Sequence, residues 1–440
     1  MLSPQESNMR SQSSVGVISA IAALLIAVNA YAGGGPHVQY RVVNLGNPLG
    51  GAASQGTTDG QPGWVAGWSV TASGTMHAEL WRQGVPTDLG TLGGPSLNSA
   101  VAWPNRNQHG VVVGIAETDR VQPEYGAPGQ KQPEWWSCYS AVFLVDDGHV
   151  CRGFIWRDGS MIGLPTLGGP NGFATGVNDR DQVVGWAENN THDPTCGIFD
   201  TITHQVLQFE AVMWVPDRDD GHGGGDGGYR AIELPPYPGD LDGAATAINQ
   251  RGEVVGISGI CDGAIGGATA EHMVVWKNGL VLRELPALGG AYWNTPMDID
   301  DRGDVAGFVG LGDDPYLGAP VQAFFWSRRP FDCGGQTAPG AGGTTCGLGA
   351  LTGDGDSEAL GVNNRGQVVG VSFGASHPYP GHAFIWQDGR MRDLNDLVVP
   401  GSTMLTLSQA EDINDRGEIT GQAYDPTTQA IVAFEAIPVR

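Results

Sequence analysis

Apolar and polar residues alternate with a period of two through most of this chain, in short runs broken by Gly, Asn and Asp. That period places apolar side chains on one face of an extended strand. The clearest run is Gly361–Gly370, Gly-Val-Asn-Asn-Arg-Gly-Gln-Val-Val-Gly, repeated at Asp412–Gly421 and Ala247–Gly256. Looser copies lie at Asp298–Gly307 and Gly176–Gly185, and more degenerate ones at Thr57–Gly67 and Ala102–Gly114. Each copy predicts a strand, a tight turn and a second strand. The Asn or Asp can bond its own backbone in the turn, and the following Gly accepts positive φ without a Cβ clash.

A second phrase accompanies the first, as at Gly381–Leu394, Arg152–Leu164 and His77–Leu89. In the first two, an Asp-Gly pair between apolar runs signals a hairpin. One unit therefore holds four strands. Strand a is the Ala-x-x-Ile-Asn run, and strand b ends in Val-Val-Gly. Strand c ends in Trp81, Trp156, Trp214, Trp276, Trp326 or Trp386, and strand d carries Asp-Leu-Gly or its equivalent. Repetition of short antiparallel strands in fours is the signature of a β-propeller. The glycine ending strand b counts seven blades: Gly67, Gly114, Gly185, Gly256, Gly307, Gly370 and Gly421. The first strand, Gln39–Leu45, is a lone d-like strand, and the last, Ala430–Ile437, is a lone c-like strand. Pairing them would close the ring and remove exposed edges. The fold class is all-β, a seven-bladed propeller of four-stranded antiparallel blades. No sustained helical period competes with it.

The strand order puts the b–c and d–a links on one face and the a–b and c–d turns on the other. Insertions are expected at about 115–152 and 186–208, in b–c links, and at 327–347, in a c–d link.

Composition changes this picture in three ways. Gly contributes 70 of the 440 residues, about twice the usual share, as a turn-rich chain requires. The formal net charge of −25, from 47 acids and 22 bases, repels phosphate backbones and anionic bilayers, so nucleic acid is excluded as a partner. Residues 1–32 read as a leader: Arg10, the apolar run Val15–Val28, then Ala30-Tyr31-Ala32 as a cleavage signal. Residues 33–440 then form a single propeller domain, exported to the periplasm or beyond, monomeric and without a transmembrane segment. Cysteine usage agrees with export. Six cysteines leave several pairings open. Cys138 and Cys151 flank one insertion, Cys333 and Cys346 flank another, and the repeat register sets Cys196 and Cys261 in b–c links of adjacent blades.

These phrases resemble the HAF-type extracellular repeat family of bacteria. The His-Ala-Phe triplet is intact at His382-Ala383-Phe384 and varied at His77-Ala78-Glu79, Arg152-Gly153-Phe154 and Gln322-Ala323-Phe324. The companion phrase Asp-Leu-Gly-Thr-Leu-Gly-Gly is intact at Asp88–Gly94. The resemblance covers nearly the whole chain after the leader. It implies an exported repeat protein and carries over no catalytic residues. The strand order also resembles that of Trp-Asp-repeat propellers, without their signature dipeptide.

Most candidate chemistry has a structural reading. The strand-c tryptophans recur at one position per unit, as packing between blades requires. His77, His272 and His382 open strand c in three blades, too far apart to share a metal ion, and are expected to hydrogen-bond locally. Gly370–Gly374 matches G-x-S-x-G, but Ser372 ends a strand rather than turning into a helix. The acidic segments Asp217–Gly228, Asp240–Asp242 and Asp354–Glu358 lack a complete calcium-loop pattern. No metal and no cofactor is expected.

The strongest binding candidates are aromatic residues in the links of the b–c/d–a face: Trp135, Trp136 and Tyr139, with His192, Tyr292 and Trp293. Aromatics beside carboxylates suit stacking on sugar rings or recognition of a peptide. The expected function is an exported, non-enzymatic binding module for a glycan or a cell-surface partner. The alternative is a polysaccharide-active enzyme, hydrolase or lyase, on the same face. Glu117, Asp119, Glu124 and Glu134 are its only acid/base candidates, and no spacing pairs them.

Overall fold

A computed structural model describes residues 38–439 except 61, 105–106, 126–131, 134–147, 197–204, 218–227, 262–269, 291–292, 313–319 and 379. The leader segment therefore lies outside the described residues. So do Trp135, Trp136, Cys138, Tyr139 and Tyr292, together with Glu134 and most of the Asp217–Gly228 loop.

The chain forms seven antiparallel sheets in a ring, each ordered a-b-c-d from the centre outward. The inner strands a are Gly50–Asp59, Ser99–Ala100, Gly168–Val177, Asp242–Ile248, Asn294–Ile299, Asp354–Val362 and Thr406–Ile413, in blades 1 to 7. The ring closes as the sequence predicts. Gln39–Gly46 pairs antiparallel with Ala430–Val439 and supplies strand d of blade 7. Blade 7 is tied to blade 1 by Ala433 N–H, which donates to Ser54 Oγ at 2.8 Å.

Two features of the repeat have direct physical causes. Strand a bulges at one point against strand b. A Cβ added to Gly67, Gly185, Gly256, Gly307 or Gly370 would fall 1.8–2.2 Å from a strand-a carbonyl oxygen, and Gly114 and Gly421 are equally close. No side chain fits there, so this glycine recurs in every blade. The turn asparagine does more than shape its own turn. Its Nδ2 donates to the same turn of the next blade: Asn107 to Asn178 O (2.8 Å), Asn178 to Asn249 O (3.1 Å), Asn249 to Asp300 O (3.0 Å), and Asn363 to Asn414 O (2.9 Å). The following residue extends the belt, as Gln250 N–H donates to Asp301 Oδ1 at 2.9 Å and Asp301 N–H to Asn364 Oδ1 at 2.9 Å. The phrase thus sets the turn and laces neighbouring blades together.

The six strand-c tryptophans are each 4 % exposed or less. Trp214 and Trp276 donate Nε1–H across the blade boundary to Pro165 O and Pro235 O, both at 2.7 Å. The c–d hairpins have consecutive positive φ at Asp158-Gly159, Asn278-Gly279 and Asp388-Gly389, as their turn chemistry demands.

The insertions differ in detail from their sequence outlines. Strand b of blade 2 runs Val112–Val121 and that of blade 3 runs Val183–His192, so the first part of each b–c link is extended strand. These long strands pair with strand c of their own blades, His149–Arg157 and Leu207–Pro216. In blade 5 the c–d link folds into a fifth strand, Thr337–Gly340, outside Gly343–Gly347. Cys333–Cys346 closes that link, and Cys196–Cys261 staples blades 3 and 4. Cys151 is also disulfide-bonded.

Candidate functional site

The inward side chains of strand a form two rings around the central axis. The upper ring, towards the b–c/d–a face, is the position whose carbonyl meets the strand-b glycine: Gln55, Phe173, Ala244, Thr295, Glu358 and Gln409 among others. Two residues later comes the lower ring. In three blades it is a threonine whose hydroxyl donates to the next blade: Thr57 to Val101 O (2.7 Å), Thr175 to Ala245 O (2.8 Å), Thr246 to Pro296 O (2.6 Å). Blade 7 places Glu411 at this position.

These rings bound a cavity of about 420 Å³. Its floor is Trp103. Blade 2 has two more residues between its lower-ring position and its turn asparagine than blade 6 does (Ala102 to Asn107, against Leu360 to Asn363), and Trp103, at the start of this stretch, lies inward on the cavity. It meets Phe173 edge-on at 5.4 Å and packs against the Met297–Phe308–Leu360 cluster on the far side. Below it, at the a–b end of the axis, a polar mouth of about 100 Å³ is lined by residues of the turn belt such as Asn249, Asp301 and Asp415. The larger cavity is therefore a cup opening towards the face of the b–c and d–a links. Trp293 stands at its rim, 37 % exposed, with φ of 61°. Positive φ is costly for a large side chain and is tolerated where surrounding structure over-determines it.

The cup has two unlike walls. Blade 3 contributes Phe173 and Trp186, which meet at 6.2 Å, and Trp68 of blade 1 continues this aromatic side. Across the ring, blades 6 and 7 contribute Glu358 and Glu411. Burial pushes Glu411 up to about 8, helped by the charges of Glu358 and Asp412, against a hydrogen bond from Gln409 Nε2 at 2.6 Å. Burial also raises Glu358 to about 7, with Asp356 adding to it. Among the described residues no Lys, Arg or His lines the cup.

Of the residues singled out from the sequence, Trp293 joins this site. His192 is exposed at the end of strand b of blade 3 and does not line the cup. Glu117 is buried and accepts from Asn98 N–H (2.6 Å) and Nδ2 (2.9 Å), a structural role. Asp119 and Glu124 are exposed and lie away from the cavity. Ser372 is buried in its strand, accepting from Leu351 N–H and donating to Asp354. The three strand-c histidines each pair with a carboxylate through Nδ1: His77 with Asp88 (2.9 Å), His272 with Asp240 (2.8 Å), His382 with Asp393 (2.6 Å). The acidic d–a links are likewise engaged, since Asp354 and Asp240 serve histidines and Asp242 accepts from Phe209 N–H at 2.9 Å.

Sequence reasoning missed the inward role of Glu358, taken only as the end of an acidic d–a link, and missed Glu411, Trp68, Trp103 and Trp186. Lining up the strand-a phrases would have found the first two, because only two blades carry a carboxylate at either inward position.

No family model matches the sequence, and no curated protein or solved structure matches it.

Proposed function

We propose that the protein is a non-enzymatic binding module whose central cup takes a compact organic ammonium ion. The observation that carries this reading is the pairing of the two walls. Two carboxylates leave bulk water with no basic neighbour lining the cup, and an aromatic wall faces them across a space of about 420 Å³. A buried carboxylate without a counter-charge is costly, and a bound cation removes that cost. Aromatic faces attract the same cation through their quadrupoles. A neutral sugar would stack on the aromatics but leave the carboxylates uncompensated. The net charge of −25 favours arrival of cations at the mouth.

Of the residues behind the glycan reading, Trp135, Trp136, Tyr139 and Tyr292 lie outside the described residues, His192 does not line the cup, and Trp293 stands at its rim. The enzymatic alternative is less well supported. Glu358 and Glu411 stand side by side on neighbouring blades, whereas acid/base hydrolysis of a glycosidic bond wants carboxyls flanking the substrate. Export is part of the proposal. It rests on the leader-like run and the resemblance to the HAF-type repeats, and the two disulfides are compatible with it. Among the described residues no helix is long and apolar enough to cross a membrane.

Calorimetry with tetramethylammonium and with methyl glucoside tests the reading. Tetramethylammonium binding is expected, weakened about tenfold in Trp186→Ala, in line with one lost cation–aromatic contact. Binding of the glucoside but not the ammonium ion would overturn it.

A further inference from the structure

We propose that blade 6 carries a site for a divalent transition metal formed by His377, His382 and Asp393, independent of the central cup. His382 opens strand c (His382–Gln387) and Asp393 ends strand d (Arg390–Asp393) of this blade. His377 reaches the same point from the b–c link, just beyond strand b (Val368–Gly374). The three residues offer ligand atoms within 4.8 Å of one another, and all three are half-buried, so an ion can reach them from solvent.

The surroundings hold these groups in place. His377 Nδ1 pairs with Asp354 Oδ2 at 2.8 Å, and Asp354 is fixed in turn by Ser372 Oγ–H at 2.9 Å and His377 N–H at 3.0 Å. Asp393 is oriented by Asn395 N–H and Nδ2, both at 2.8 Å. A carboxylate bound to a metal-ligating imidazole fixes its tautomer and ring orientation, and Asp354 is placed to do this.

Comparison among the blades shows what is special here. Blade 1 has the same strand-c to strand-d His–Asp pair, His77–Asp88, whereas in blade 4 His272 pairs with Asp240 of the d–a link, the place Asp354 holds in blade 6. In blade 4 the ring stacked on the histidine is Tyr237, brought in from the d–a link at 4.2 Å. In blade 6 it is a second imidazole, His377, at 4.0 Å and 28°. Stacking alone is satisfied by tyrosine, so the second imidazole adds only nitrogen donors. Two imidazole nitrogens and one carboxylate oxygen suit Zn²⁺, Ni²⁺ or Cu²⁺ and not Ca²⁺ or Mg²⁺. Ligand bonds of about 2.0–2.2 Å would draw the three groups together by side-chain adjustment and leave a position open to water.

The test uses tag-free, chelator-treated protein at pH 7.5, titrated with Zn²⁺ against a chromophoric chelator. His377→Tyr is the informative variant because it keeps an aromatic ring in place to stack on His382 while removing the imidazole nitrogens, and should keep the fold. The wild type is expected to bind one Zn²⁺ with micromolar or tighter affinity, unaffected by excess Ca²⁺. Affinity should fall at least tenfold in His377→Tyr and in His382→Ala. Either of two results would overturn the site: no binding tighter than millimolar in the wild type, or tight binding that His377→Tyr leaves unchanged.

Discussion

Glu411 should make the protein less stable as pH rises through neutrality, and Glu411→Gln should remove that part of the loss. The carboxyl is 4 % exposed and carries a pKa raised from 4.5 to about 8. A group raised in this way favours folding fully below about 4.5, where it is protonated in both states. The contribution is lost as pH climbs to about 8, because the unfolded chain then ionises more easily. At about 1.4 kcal/mol per unit, the loss across that window is on the order of 5 kcal/mol. Coupling to Glu358 means that the two glutamates do not contribute additively. Glutamine has the shape of the protonated acid and still accepts from Gln409 Nε2. Urea unfolding of both proteins at pH 5, 7 and 9, with disulfides intact, measures the effect. The two should be similar at pH 5, and the variant should be several kcal/mol more stable at pH 9. Other buried acids, including Glu79 at about 7 and Glu210 at about 8, push the stability of both proteins the same way, so the difference between them isolates Glu411. Parallel pH profiles would refute the reasoning, since they would mean that Glu411 ionises as freely in the fold as in the unfolded chain.

Further substitutions probe the frame. Gly370→Ala places a Cβ 1.9 Å from Glu358 O and should cost several kcal/mol in thermal or urea unfolding, whereas Gly355→Ala, with nothing within 4 Å, should be near neutral. Loss of the Cys196–Cys261 bridge, which spans 65 residues, in a Cys196→Ala/Cys261→Ala variant should cost about 4 kcal/mol on the chain-entropy estimate, read as a lower urea midpoint. Asn249→Ala removes the donor to Asp300 O and the acceptor for Arg251 N–H and Glu253 N–H, and should cost about 1–3 kcal/mol by the same measurement.

The frame was legible because it rests on local constraints that recur. The strand-b glycine is needed wherever strand a bulges, so it prints itself once per unit, and the turn asparagine recurs in blades 2, 3, 4, 6 and 7, with Asp300 in its place in blade 5. The closing pair Gln39–Gly46 and Ala430–Val439 was legible for a related reason: each terminal strand lacks its usual partner in sequence. The cup was not legible, because an inward position is free to differ in every blade. Phe173, Ala244, Thr295 and Glu358 occupy equivalent places and share no chemistry. Trp103 lies in a degenerate copy, at the start of a stretch two residues longer than in blade 6. His377 sits in a variable link, and only the fold brings it onto His382.

The most direct test of the cup as a cation site is the pH dependence of tetramethylammonium affinity. This probe has no proton to lose, so any change with pH belongs to the protein. With Glu411 titrating near 8 and Glu358 near 7, affinity should tighten about tenfold or more between pH 6 and pH 9. In Glu358→Gln/Glu411→Gln it should be weak and flat. A wild-type affinity that does not change between pH 6 and pH 9 would contradict the account.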